Sequence, residues 1–338
     1  MKGVGYIASR IIALFVLFGL AMLIHEYFIY PNILKKEGWL RELAEKKIDK
    51  NPDVIYFSAS TNKALGPDDK DRRFIDRMIQ DSITLHLESI DTGAIHAGIF
   101  HAVLERISKD KLPKMIVVDL NIRSFGANWI HSGLENSLQR NLVYWNDKPG
   151  VANHFLSSVK WYDYKSPVEH ERAIEYAEKF AKLPFGGSHS TIKNWCDSLF
   201  KASKTPEEGM VMLRHFGFTI DEQNEQMKRF DKIVDWGINN GVQVVFVILP
   251  ENIERMDLLV GKDLKELVRR NALFLERRYK GRVHGVINLW DRAGSEVFFE
   301  SFPTEHYRSL GRQVVASEVS KLINRFKDHD HTGSTKNR

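Results

Sequence analysis

Short, almost wholly apolar runs that alternate with longer amphipathic segments constrain this sequence most. Three of them are rich in β-branched and aromatic residues: DVIYFSA from residue 53, KMIVVDL from residue 114 and VQVVFVIL from residue 242. Runs that are apolar on both faces are typical of strands buried in a parallel sheet and joined by helices. With weaker strands at 83–90 and 283–289, the sequence predicts an α/β fold with a doubly wound, parallel five-stranded sheet.

The strand pattern is interrupted by about a hundred residues, at roughly 125–224, that are aromatic-rich and helical in composition. We interpret this stretch as a helical insertion over the carboxyl ends of the strands, where α/β proteins place ligand crevices. A separate domain is the alternative. The α/β domain is predicted over residues 53–327, and the polar segment 328–338 is predicted to be a disordered tail.

The N-terminus carries an uninterrupted apolar run, Ile11–Ile24, with aromatic residues on both sides. With these flanks the run reaches the length that crosses a bilayer. Residues 1–32 are therefore predicted to be one transmembrane anchor, and residues 33–52 a charged helical stalk. A cleaved signal peptide is the alternative. Basic residues are nearly balanced around the run, so charge alone does not predict the orientation.

Composition excludes several kinds of site. The formal net charge of +5 arises from Lys and Arg scattered along the chain, which argues against a nucleic-acid interface. Cys196 is the only cysteine, so neither an intrachain disulfide nor a cysteine metal cluster can form. His96 and His101 share a helix but lack the carboxylate pattern of a metalloprotease, and no phosphate-binding or dinucleotide glycine motif is present. The sequence predicts no cofactor and no metal.

Four residues follow predicted strands or precede the last helix, where the loops of a parallel sheet converge. Ser60 follows the first strand, Gly93 the second and Asn121 the third, and His306 lies in the loop before the final helix. Serine and histidine can form a nucleophile and base, and backbone N–H and asparagine amide groups can stabilise an oxyanion. Taken singly, each has an ordinary alternative: serine, glycine and asparagine are common in turns, and a lone histidine is more often structural.

This order of serine, glycine, asparagine and histidine resembles that of the SGNH (GDSL-like) hydrolase superfamily, whose sheet is flavodoxin-like. The N-terminal anchor, the VVFVILP strand and the long insertion resemble its membrane-tethered members, the proteins of D-alanyl-lipoteichoic acid transfer and alginate O-acetylation. The resemblance implies that Ser60 is the nucleophile, His306 the base, and Gly93 and Asn121 the oxyanion donors.

Two positions depart from the family pattern. Ser58-Ala59-Ser60 stands where the family has Gly-Asp-Ser or Gly-Ser-Ser. The family's acid usually precedes the histidine by three residues, and here that residue is Pro303. Glu300 is our predicted acid, with Asp291 as an alternative, if the loop folds back toward His306. A Ser-His dyad and a noncatalytic domain are the remaining interpretations.

The resemblance implies a serine acyltransferase or esterase in the O-acylation of an extracytoplasmic polysaccharide or cell-envelope polymer. The implied partner is a membrane-bound O-acyltransferase, and the implied location is the bacterial inner membrane, with the soluble domain in the periplasm or outside the cell. The alternative is a noncatalytic accessory subunit that binds glycan or the transferase. A glycoside hydrolase is disfavoured because the strand-end loops lack a convincing carboxylate pair.

Overall fold

The structure is a computed structural model that describes residues 2–66, 69–93, 95–126, 129, 138, 141–145, 149–158, 206–299 and 306–333. The chain divides into two compact units. The anchor unit comprises residues 1–46 and 136–166, and the sheet unit comprises residues 47–135 and 167–338.

The strands of the sheet unit form one parallel sheet in the order β2-β1-β3-β4-β5. The predicted α/β fold is therefore confirmed, and the strand order is the flavodoxin-like one. The strands are β1 (Val54–Ser58), β2 (Leu87–Asp91), β3 (Met115–Leu120), β4 (Gln243–Ile248) and β5 (Gly285–Asn288).

Helices precede and surround the sheet. Short 3-10 turns lie at Lys109–Lys111, Ile122–Phe125 and Ser295–Val297, and a π-helical turn lies at His25–Ile29. The α-helices described are α1 (Lys2–Ile24), α2 (Tyr30–Glu37), α3 (Trp39–Ile48), α4 (Ser60–Lys63), α5 (Ile75–Gln80), α6 (Ala97–Leu104), α7 (Gly150–Ser158), α8 (Pro206–Phe216), α9 (Glu225–Asn240), α10 (Ile253–Leu259), α11 (Lys262–Tyr279) and α12 (Ser309–Gly333).

Both faces of the sheet are buried, as the apolar strands require. On one face, Tyr56 and Val117 belong to a core that also contains Ile79 of α5 and Val319 of α12. On the other face, the ring of Phe246 lies 4.7 Å from that of Tyr279 and 5.5 Å from that of Phe230, between ring centroids. Helices on both faces make the sheet doubly wound.

The position of β1 between β2 and β3 determines where the candidate site can form. β2 and β3 flank β1 in parallel register, with Ser58 opposite Asp91 and Phe57 opposite Val118. The loops that follow these three strands therefore leave the sheet side by side at its carboxyl edge.

Among the described residues, one helix is long and apolar enough to cross a membrane: Tyr6–Glu37, which runs through α1, the π-helical turn and α2. Its apolar side chains are exposed along the run, as a lipid-facing helix requires. Most of the predicted insertion, including residues 159–205, lies outside the described residues, so its folding over the strand ends stays a prediction. α12 is described to Gly333, so it includes the first residues of the predicted tail, and residues 334–338 lie outside the described residues.

Candidate active site

Ser60 and His306 are brought together across the carboxyl edge of the sheet. β1 ends at Ser58, Ala59 is extended, and Ser60 is the first residue of α4. The Ser60 Oγ lies 3.2 Å from Nε2 of His306, although the two residues are 246 positions apart in the chain. Both side chains are half-buried. A serine hydroxyl at this distance from an imidazole nitrogen can pass its proton to that nitrogen.

The loop that carries His306 is held on both sides of the histidine. The Phe299 N–H donates to the His306 carbonyl at 3.1 Å, next to an antiparallel bridge between Phe298 and Tyr307. The Tyr307 hydroxyl, fully buried, donates to the Pro250 carbonyl at 2.9 Å after β4. These bonds fix the backbone of His306 relative to the strand ends.

Arg312, at the start of α12, links the segments that follow Ser60 and His306. Its guanidinium is fully buried, forms an ion pair with Asp69 at 2.8 Å, and donates to the carbonyls of Ala64 and Tyr307 at 3.3 and 2.9 Å. Burial by itself raises the pKa of Asp69, but hydrogen bonds from Arg312 and from the backbone lower that pKa overall. A buried pair of this kind is retained because its donors and acceptors are satisfied together.

Gly93 lies in the exposed turn after β2. A Cβ placed on it would meet no atom of the described structure within 4 Å, so the space beside this backbone is open. The preceding end of β2 is tied to α4, because Asp91 accepts a hydrogen bond from Asn62 and forms a 2.7 Å ion pair with Lys63. The segment that carries Ser60 and the strand before Gly93 are thus directly connected.

Asn121 follows β3 and caps the 3-10 turn Ile122–Phe125. Its Oδ1 accepts the N–H of Arg123 at 3.0 Å, so the oxygen of the amide is turned toward the backbone of its own turn. The donor of this side chain is Nδ2, the group that an oxyanion site uses. The turn-capping role and the predicted donor role therefore use opposite ends of one amide.

A buried carboxyl that sequence reasoning did not single out lies between the strands of Ser60 and Asn121. Asp119 Oδ2 accepts hydrogen bonds from Ser58 Oγ at 2.5 Å and from Tyr56 Oη at 3.0 Å. Burial, helped by the nearby charge of Asp91 and opposed by these two hydrogen bonds, raises the pKa of Asp119 to about 7. The signal in the sequence is one acidic residue inside an apolar strand, KMIVVDL.

The hydrogen bonds of Asp119 also bear on the nucleophile. Ser58 is fully buried and its hydroxyl is held by Asp119, whereas Ser60 is half-buried and faces His306. Of the two serines in the Ser58-Ala59-Ser60 segment, the structure places Ser60 beside His306, the predicted base.

His96 is the N-cap residue of α6. His96 is buried, and its Nδ1 accepts the N–H of Gly98 at 3.2 Å at the start of the helix. Burial and then the charge of Arg229 lower the pKa of His96 well below its ordinary value, so its ring is neutral. Across the described residues, no group of three or more His, Cys, Asp or Glu side chains could hold a metal ion.

The predicted acid, Glu300, lies outside the described residues, as do Pro303 and Glu305. Asp291, the alternative acid, is exposed in the turn after β5. The residue that orients His306 therefore stays a prediction.

Comparison with known proteins gives no further assignment. No protein-family model matches the chain, and no curated protein matches its sequence.

Proposed function

We propose that this chain is a membrane-tethered serine enzyme that transfers or hydrolyses an acyl group during the O-acylation of an extracytoplasmic polysaccharide or cell-envelope polymer. The observation that supports it most is the 3.2 Å approach of Ser60 Oγ to His306 Nε2 at the carboxyl edge of a parallel sheet. Ligand sites of open α/β sheets lie at this edge.

The chemistry proposed for this pair has two half-reactions. In the first, Ser60 Oγ attacks the carbonyl carbon of an acyl donor while His306 Nε2 takes the hydroxyl proton. The tetrahedral intermediate collapses, the bond to the leaving group breaks, and His306 returns the proton to that group. In the second, a polymer hydroxyl or water attacks the acyl-serine, and the same proton transfers regenerate Ser60.

The oxyanion donors proposed are the Ser60 N–H, the backbone at Gly93 and the Asn121 amide. The loops that carry them follow adjacent strands in the order β2-β1-β3, with Ser60 on the central one. Donors fixed before the reaction stabilise the developing charge without reorganising, and removal of one such donor typically slows catalysis by about 10²–10³-fold.

The N-terminal apolar helix is proposed to anchor the enzyme in the membrane. A helix long and apolar enough to cross a membrane precedes the sheet unit. In our proposal it holds the chain in a bacterial inner membrane beside a membrane-bound O-acyltransferase that delivers the acyl group. The sheet unit then lies in the periplasm or at the cell exterior, where polymer is acylated.

Labelling with a fluorophosphonate tests the nucleophile. The full chain in detergent is incubated with the probe, and wild type is compared with Ser60→Ala and His306→Ala. Labelling is expected in wild type and absent in both variants, because the serine must be present and deprotonated. Ser58→Ala is the matched control and should keep the label, since Ser58 is fully buried.

Two outcomes would contradict the proposal. If a folded wild-type chain takes no label, the noncatalytic accessory subunit becomes the better interpretation. If Ser58→Ala loses the label and Ser60→Ala keeps it, the nucleophile is misassigned.

A further inference from the structure

Helix α7 in the anchor unit packs against the residues that follow the apolar run of α1. The Gly150 N–H donates to the two carboxylate oxygens of Glu26 at 2.8 and 3.0 Å. One turn later, Asn153 Nδ2 donates to Tyr30 Oη at 3.1 Å. The negative charge of Glu26 at the first turn of α7 also complements the helix dipole.

Two further features fix the packing distance. The rings of His25 and His154 are stacked with centroids 5.4 Å apart, and their Nε2 and Nδ1 atoms are 3.1 Å apart. A Cβ on Gly150 would lie 2.3 Å from Cγ of Tyr30, so only glycine permits this approach. α7 is therefore held at the level of residues 25–30.

The apolar residues of α7 lie on the opposite side of the helix. Successive residues are about 100° apart around a helix, so Gly150, Asn153 and His154 share one face. Val151, Ala152, Phe155 and Leu156 form the other. Asn153 is 1% exposed, whereas Phe155 is 66% exposed. A surface helix in water has the reverse pattern, with its apolar stripe facing its packing partner.

The distance of the α7 contacts from the end of the apolar run, Ile24, indicates which part of a bilayer surrounds this apolar face. Glu26 and Tyr30 are two and six residues beyond Ile24, or about 3 and 9 Å at the rise of an α-helix. The headgroup layer on each side of a bilayer is about 5–7 Å thick, so the Glu26 contact of α7 lies within this layer and the Tyr30 contact lies at its outer edge. Tyr27 and Phe28, at the same level, are 71% and 72% exposed, which is typical of an interfacial aromatic belt.

We propose that α7 lies in the headgroup layer of the bilayer, with Val151, Ala152, Phe155 and Leu156 inserted toward the acyl chains. The partner of this face is lipid. The proposal rests on α1 spanning the membrane and is independent of the chemistry at Ser60.

Site-directed spin labelling tests it on the full chain in phospholipid nanodiscs. Cys196 is the only cysteine, so Cys196→Ser provides the background for Phe155→Cys carrying a nitroxide. Collisions with oxygen, which concentrates in lipid, are compared with collisions with a water-soluble nickel chelate. Leu17→Cys in the apolar run and Lys46→Cys on the exposed side of α3 are the lipid and water controls.

The label at position 155 is expected to collide with oxygen several-fold more than the Lys46→Cys label does, and with nickel several-fold less. A water-like profile at 155 would overturn the proposal. Weak collisions with both reagents would also overturn it, in favour of a protein partner or a second copy. If Leu17→Cys itself has a water-like profile, α1 does not span and the proposal fails with it, while fluorophosphonate labelling of Ser60 is unaffected.

Discussion

The sheet unit and helix α7 of the anchor unit place apolar and polar side chains in opposite ways. In the sheet unit, apolar side chains lie between the strands and the helices, and Phe246 of β4 is fully buried. In the anchor unit, α7 turns Asn153 and His154 toward its packing partner and leaves Phe155 exposed. The contrast is specific to α7, because α3 of the anchor unit buries its apolar residues Leu40 and Ala44 completely.

In our proposal that α7 lies among lipid headgroups, the surrounding solvent explains this difference. In water, removal of apolar surface from solvent drives packing. Beside lipid this driving force between protein elements disappears, and polar contacts and close packing hold helices together instead. The residues Glu26, Tyr30 and Gly150 provide such contacts for α7.

The largest expected effect is the difference in sheet-unit stability between the variants Phe246→Ala and Phe155→Ala. Phe246→Ala removes a buried ring that contacts Phe230 and Tyr279 and should destabilise the sheet unit by about 3–5 kcal/mol. Phe155→Ala should leave the sheet unit unchanged. Hydrogen exchange at the amides of β3 and β4 measures both. Equal losses in the two variants would remove the contrast between the units.

Arg312 is the main exception inside the sheet unit, a charged side chain with no exposed surface. Arg312→Met should destabilise the unit by about 3–5 kcal/mol, because Asp69 is left buried without its partner. Fluorophosphonate labelling should fall as well, since Arg312 bonds the carbonyls of Ala64 and Tyr307.

The double variant Arg312→Met, Asp69→Leu is the control for Arg312. It removes both charges, so the sheet unit should regain part of the lost stability. This gain is measured as slower hydrogen exchange at the sheet amides than in Arg312→Met. An Arg312→Met chain as stable as wild type would show that the Arg312–Asp69 ion pair is not needed for the stability of the sheet unit.

Asp119 is a second exception, and its effect on stability depends on pH. Its pKa in the folded chain is raised from 3.8 to about 7, so between these values the folded state holds a proton that the unfolded chain has released. The contribution of Asp119 to the free energy of unfolding is therefore complete below about pH 4 and is lost as the pH rises to about 7. The difference is roughly 4 kcal/mol.

Asp119→Asn should remove this dependence of stability on pH, because the uncharged amide resembles the protonated carboxyl. The measurement is the stability difference between variant and wild type at several pH values, which cancels the contribution of other groups. The variant should gain relative to wild type as the pH rises from 4 to 7. A constant difference would contradict the raised pKa.

The smallest expected effect concerns the anchor unit. Gly150→Ala places a Cβ against the ring of Tyr30 and should loosen α7 by about 1–3 kcal/mol, seen as faster hydrogen exchange at residues 150–158. Gly209→Ala in α8 is the matched control, because its Cβ would meet its nearest atom at 3.5 Å, an ordinary contact. Equal behaviour of the two variants would mean that α7 is not held by close approach.

The strands were predictable from sequence because their apolar runs are buried on both faces. β1, β3 and β4 start and end within one residue of the predicted runs. The two weaker strands are shorter than predicted. β2 starts at Leu87, since Ile83 is buried in the core without joining the ladder. β5 starts at Gly285, two residues after the predicted run begins.

The candidate site was predictable only in outline. Chain order placed Ser60 and His306 at the same edge of the sheet, but their separation depends on Arg312 and Tyr307, whose contacts span distant parts of the chain. The role of Asp119 could not be inferred from the sequence, because its hydrogen-bond partners Tyr56 and Ser58 lie on a different strand. The docking of α7 depends on residues more than a hundred positions away, which periodicity does not reveal.

Trapping of an acyl-enzyme tests the central claim most directly. The full chain is mixed with p-nitrophenyl acetate, quenched in acid, and examined by intact mass and peptide mapping. We predict one added acetyl group on Ser60 in wild type and none in Ser60→Ala, with slower formation in His306→Ala. Acetylation elsewhere, or release of nitrophenol by wild type and Ser60→Ala at equal rates, would contradict the account.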